Sequence, residues 1–175
     1  MAQNPIWSSI KSLISAPATL DETFRKLPMF EKLNRKQMKE VERIIHRRTY
    51  RAGEEIFHAG DTGVALYVIL AGEVRIVIPG ENPDEGVEVA RLSAGDLFGE
   101  LALLDSSPRS ASAVAASPTE AAALARPDWL DLIDRQPAIG VEMLLPLAKM
   151  LAVRLRAANK ATVEELRAAK ASKEK

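Results

Sequence analysis

Between residues 48 and 125 the hydrophobic residues alternate with a period of two, and glycine-containing turn signals break the pattern at short intervals. Strand-like runs occupy 48–51, 54–58, 64–70, 73–78, 87–92, 110–115 and 120–125. Ala52-Gly53, the 59–63 stretch, Ala71-Gly72, the 79–86 stretch and Ser93-Ala94-Gly95-Asp96 lie between them. Seven or eight strands this short and this regular predict a small antiparallel sandwich or barrel. On either side the period returns to that of a helix. The fold class expected is therefore α+β, mainly β, with helices before the barrel and a long helix after it.

Residues 1–19 predict an amphipathic helix with Ile6, Trp7, Ile10, Leu13 and Ile14 on one face, ended by Ala16-Pro17-Ala18. Such a face suits a cover for apolar surface of its own domain or of a second copy better than a membrane anchor. A helical lead-in is expected over 20–47, with Asn34 as N-cap of a helix running to His46 and Met38, Val41, Ile44 and Ile45 on its buried side. The barrel is expected over 48–126 and C-terminal helices over 127–170, with a frayed tail at 171–175. Pro127 suits a first helical turn, and Pro146 predicts a kink or restart. Leu144, Leu147, Leu151, Leu155, Ala158 and Thr162 trace an apolar seam along the last helix, fit either for the barrel or for a second copy.

The chain has no cysteine, which excludes disulfides, thiolate metal sites and cysteine nucleophiles. No metal-ligand spacing, Walker loop or nucleophile elbow is present, so no enzyme activity, cofactor or metal is expected. With no signal-peptide pattern and no long apolar span, a cytoplasmic protein is expected. The zero net charge conceals an uneven distribution. Residues 52–148 hold 16 acidic side chains against five arginines, while 1–51 and 149–175 are basic. A cation in that acidic middle requires a reason.

Arg109 stands in Phe98-Gly99-Glu100-Leu101-Ala102-Leu103-Leu104-Asp105-Ser106-Ser107-Pro108-Arg109-Ser110-Ala111-Ser112. A strand turning at Gly99 into a short helix frees backbone N–H groups for an anion. The Arg109 fork matches phosphate oxygens, and Ser110, Ala111 and Ser112 leave room beside it. Glu100 accepts only, so it suits a hydroxyl donor. The pair fits a ribose phosphate, or else an internal Glu100–Arg109 salt bridge closing a loop.

Arg51-Ala52-Gly53-Glu54-Glu55-Ile56-Phe57-His58-Ala59-Gly60-Asp61, Leu66-Tyr67-Val68-Ile69-Leu70-Ala71-Gly72-Glu73-Val74, Phe98-Gly99-Glu100-Leu101-Ala102-Leu103-Leu104 and Pro108-Arg109-Ser110-Ala111-Ser112, in that order, closely resemble the cyclic-nucleotide-binding domain family. That family includes bacterial catabolite activators, kinase regulatory subunits and nucleotide-gated channels, and the resemblance covers roughly 24–160. It implies an eight-stranded jelly roll in which 98–112 is the phosphate-binding cassette. By the same resemblance Glu100 would bind the ribose 2′-hydroxyl and Arg109 the cyclic phosphate. Amides near Gly99, Leu101 and Ala102 would complete the site, with Ser110 and Ala111 beside them. The ligand implied is cyclic AMP, with cyclic GMP as the alternative. A lid from the last helix would place Arg156, Ala158 and Asn159 opposite the base, with Arg156 and Asn159 as contact candidates. Only some fifteen residues follow the match, so no helix-turn-helix and no DNA binding in cis are expected. The implied role is a sensor acting through movement of the last helix on an unidentified effector. The alternative is a nucleotide-independent dimerisation or docking domain of the same fold.

Overall fold

A computed structural model describes residues 20–80 and 86–173. The helix expected over 1–19 lies outside the described residues. Helix α1 (Leu20–Phe24) leads through a turn to α2 (Arg35–Glu42). Asn34 caps α2: its side chain accepts from the amides of Lys36 and Gln37, and the Gln37 side chain accepts from the Asn34 amide. This reciprocal box satisfies donors that would otherwise be stranded at the helix start.

Eight strands follow: β1 (Ile45–Tyr50), β2 (Glu55–Phe57), β3 (Ala65–Ala71), β4 (Glu73–Ile78), β5 (Val87–Ser93), β6 (Leu97–Phe98), β7 (Ser112–Ala115) and β8 (Thr119–Ala125). They form two four-stranded antiparallel sheets, ordered β1-β8-β3-β6 and β2-β7-β4-β5. This is an eight-stranded jelly roll. Between β6 and β7 lies α3 (Leu101–Leu104), and after β8 come α4 (Arg126–Arg135) and α5 (Pro137–Lys173).

Strand β3 is apolar without alternation because both of its faces are covered. Tyr67 and Ile69 point between the sheets, where Val74, Phe98, Ala113, Ala121 and Ala123 join them. Leu66 and Val68 point the other way, into a second core with Phe24, Phe30, Met38, Val41, Trp129, Leu132, Met143 and Leu147 from the helices. One sheet thus carries the helices on its back and the sandwich core on its front. At the β3–β4 hairpin Gly72 has φ +87°, and a Cβ there would come within 2.4 Å of the Pro118 carbonyl. No other residue type fits that turn.

Several boundaries differ from the expected ones. Helix α2 stops at Glu42 rather than His46, because Ile45 is taken into β1 opposite Leu124. The sheet therefore begins before residue 48, and Arg126 opens α4 instead of closing the barrel. The strand expected over 110–115 starts at Ser112, since Ser110 and Ala111 belong to the loop beside the cavity described below. The strand end expected at Phe98 is β6. Helix α5 continues through Pro146 without a restart and reaches Lys173, into the expected frayed tail. The expected apolar seam divides: Leu147 is buried and Leu144 and Leu151 pack on the helical core, whereas Leu155 is 62% exposed.

Candidate functional site

The site begins where β6 ends. Phe98 pairs with Tyr67 of β3, and Gly99 then turns the chain at φ +71°. A Cβ on Gly99 would stand 2.7 Å from Arg109 Nη1 and 3.2 Å from the Ala65 carbonyl. Glycine is therefore required twice over, by the backbone angle and by the guanidinium lying against it. Glu100 stands at the start of α3 without a side-chain capping bond, and the buried Ala102 and Leu103 pin the turn. The Ala102 amide donates to the Gly99 carbonyl and the Leu103 amide to the Glu100 carbonyl. The amides of Glu100 and Leu101, at the helix start, have no intrahelical acceptor.

Arg109 arrives from the opposite side, held by its backbone. Its amide donates to the Asp61 carbonyl at 2.8 Å, and its carbonyl accepts from the Gly60 amide at 2.8 Å. The residue is only 9% exposed. Nη2 donates to the Ala65 carbonyl at 2.7 Å and Nη1 to the Gly99 carbonyl at 3.0 Å. The guanidinium carbon lies 4.0 Å from the centre of the Phe57 ring. Phe57, Tyr67 and Phe98 form an aromatic floor with centroids 5.2–5.9 Å apart. Burial draws the guanidinium below its ordinary pKa, while Tyr67, Glu100 and Asp61 act in the other direction. It remains a cation. Its Nε is buried with no hydrogen-bond partner. A buried, unpaired donor on a desolvated cation is costly unless an anion completes it.

Glu100 does not pair with Arg109, so the loop-closing salt bridge is not what the structure contains. Glu100 is 7% exposed; its carboxylate accepts from Arg154 of α5 at 2.5 Å, and Arg154 Nη2 also donates to the Leu97 carbonyl at 3.2 Å. The last helix is thereby tied to the floor of the site.

These groups line a cavity of about 440 Å³, within the range of small-ligand pockets. Gly99, Glu100, Leu101, Ala102, Arg109, Ser110 and Ala111 all line it, together with Arg154. Arg156 and Asn159 do not; both are exposed on α5. Three further wall residues, Ile76, Ala90 and Leu92 from β4 and β5, make an apolar face suited to a flat ring. They went unread because a strand pattern does not say which pleat faces a ligand. Arg154 did leave a signal. It continues the row of buried Met143 and Leu147 and part-buried Met150 at helical spacing, whereas Arg156 lies off that row.

A buried cation beside free helix-start amides, a buried acceptor carboxylate and an apolar wall on a jelly roll are together suited to a small phosphorylated ligand. Comparison with known proteins makes the class specific. The profile of the cyclic nucleotide-binding domain matches residues 47–136, just over half of the chain, and the chain belongs to that family. It is 42% identical over 132 residues to the cyclic AMP receptor protein of Thermus thermophilus, a match covering 75% of this chain and 59% of that protein. To the cAMP-dependent protein kinase regulatory subunit of Mycosarcoma maydis it is 32% identical over 107 residues, covering 61% of this chain and 20% of that one. A crystal structure of a cyclic nucleotide-binding domain from Methylobacillus flagellatus superposes with a TM-score of 0.70 at 27% identity, covering 82% of this chain and 80% of that one. The chain spans less than two thirds of the two curated relatives. Among the described residues no helix is long and apolar enough to cross a membrane.

Proposed function

We propose that this chain is a cyclic AMP receptor module, a sensor rather than an enzyme. The observation that carries the reading is Arg109: a buried cation with an unpartnered Nε, lining a cavity that also presents the Glu100 carboxylate. A cyclic phosphate completes the cation. Cyclisation uses the 3′ and 5′ oxygens and leaves the 2′-hydroxyl as the ribose donor for Glu100. Cyclic AMP is favoured over cyclic GMP by the names of two relatives and by the aliphatic wall of Ile76, Ala90 and Leu92, which offers a base edge no polar partner. The exposed Ser110 hydroxyl is the group that would serve guanine instead. The signal passes through Glu100. A ribose hydroxyl competing for its carboxylate alters the contact with Arg154, and so the hold of the pocket on α5.

Calorimetry with cyclic AMP, cyclic GMP and 2′-deoxy cyclic AMP tests this. Cyclic AMP binds most tightly, and the deoxy analogue is weaker on the natural chain but not on Glu100→Gln. Absence of heat at millimolar ligand overturns it.

The interaction reading rests on its own observation. Val141, Leu145, Ala148, Ala152, Leu155, Asn159 and Thr162 alternate at spacings of four and three along α5, and Val141, Leu145 and Leu155 are each more than half exposed. A heptad seam of apolar residues interrupted by Asn159 and followed by Thr162 pairs parallel helices in a defined register. In this reading two copies associate through α5, and Asn159 sets their alignment rather than contacting a base. Sedimentation at micromolar concentration reads a dimer; a monomer throughout removes this reading.

A further inference from the structure

A second groove, of about 580 Å³, runs between the turn after α1 and the flank of α5, away from the nucleotide cavity except at Arg154. Pro28 and Lys32 form one wall; Leu145, Met150 and Val153 form the other. Val153 is 59% exposed, an apolar cost that the heptad seam does not relieve. At about 100° per residue, Val153 lies roughly a third of a turn from that seam, so two paired α5 helices leave it uncovered. Leu145 lies in both the seam and the groove wall, so it is the Val153 side of the groove that is left for an occupant other than the helix of a second copy.

We infer that residues 1–19 of the same chain occupy this groove, with the Ile6, Trp7, Ile10, Leu13, Ile14 face against Val153 and Met150. Three observations converge on this occupant. The segment joins α1 at Leu20, and the wall residue Pro28 is only eight residues further along. A tether of Ala16-Pro17-Ala18-Thr19 spans up to ~13 Å when extended, which lets the preceding residues reach back to their own domain. Tethering also places the segment at an effective concentration in the millimolar range, well above that of a separate partner. Finally, the segment has no acidic residue and Lys11 as its one charged side chain, and the groove lining includes Glu31 beside Lys32, Lys149 and Arg154, so the segment brings one cation to a lining that holds a carboxylate. The groove wall includes Met150, Val153 and Arg154, the turn of α5 that reaches Glu100. An N-terminal segment seated there braces the helix that reports on the pocket. The inference holds whether or not a nucleotide binds.

The absence of cysteine makes the test direct. Lys149→Cys, at an exposed groove position, is labelled with bimane, a fluorophore that an indole quenches only at near contact. Emission is compared between the full chain and its Trp7→Phe variant; Trp129, 1% exposed, is common to both. The expected result is at least twofold lower emission with Trp7, unchanged on hundredfold dilution and relieved by Val153→Asp, a surface change that leaves the melting transition cooperative. Equal emission with tryptophan and phenylalanine at position 7 overturns the inference. So does quenching that fades on dilution, which assigns the segment to a second copy, and so does quenching that survives Val153→Asp.

Discussion

Replacing Arg109 by alanine separates the two tasks of this side chain, and the structure allows both to be sized. In the free protein Arg109 donates to the Ala65 and Gly99 carbonyls and lies over Phe57. Each charge-assisted bond contributes about 1.5–3 kcal/mol, and the variant also sheds a desolvated cation with an unpaired Nε, which offsets part of that. The free protein is therefore expected to lose about 2–4 kcal/mol of stability and still fold. Loss of a buried charged partner for the phosphate is expected to cost a further ~2–4 kcal/mol of affinity, or about 30- to 800-fold in Kd. Calorimetry measures this directly, and thermal unfolding gives an independent check. At a hundredfold excess over its own Kd, cyclic AMP stabilises the natural chain by about 2.7 kcal/mol, a rise in Tm of roughly 5–11 °C. At the same ligand concentration the variant gains less than about 1 kcal/mol. Arg109→Lys keeps the charge but not the fork, and falls between the two. A natively folded Arg109→Ala protein whose Kd lies within threefold of the natural one would refute the assignment of the phosphate to this residue.

Gly99→Ala forces a side chain onto a backbone at φ +71° and against Arg109; it is expected to lower stability by about 1–2 kcal/mol and nucleotide affinity at least tenfold, read by urea denaturation and calorimetry. Arg154→Gln removes the tie between Glu100 and α5. The stability cost is about 1 kcal/mol, because Arg154 is half exposed, and the diagnostic readout is faster amide exchange along α5 beyond Met150 in the nucleotide-free protein. Tyr50 is held neutral, its pKa raised to about 12 chiefly by burial and next by Tyr67. Its contribution to stability is complete below the unfolded value near 10 and is lost as pH climbs toward 12, so the urea midpoint falls across that window. Tyr50→Phe flattens that part of the profile; an identical slope in the variant would assign the loss to other groups.

Much of the fold and of the site is local chemistry, and local chemistry is legible in a sequence. The period-two runs, the glycine turns and the Asn34 cap each depend on residues a few positions apart, so strands, hairpins and helix starts appear in one dimension. Gly99, Glu100, Arg109 and Ser110 could be grouped from the sequence for the same reason: 98–112 is one continuous piece of chain, and all four line the cavity. Boundaries were less legible. Ile45 reads equally well as the end of a helix or the start of a strand, and the choice was made by Leu124, seventy-nine residues away, which pairs with it in the sheet.

The partners of the charged groups were decided in three dimensions. Glu100 and Arg109 look like a salt bridge in sequence, yet the fold gives the arginine two backbone carbonyls and an aromatic floor, and gives the glutamate Arg154, fifty-four residues away. Whether a carboxylate near a guanidinium binds it or is left for a ligand depends on which burial is compensated first, and that depends on the path of β3 and α5 past the site. Residue types placed a cation and an acceptor on one short stretch of chain. The packing of the last helix determined that the acceptor is already held by the element that would carry its signal away.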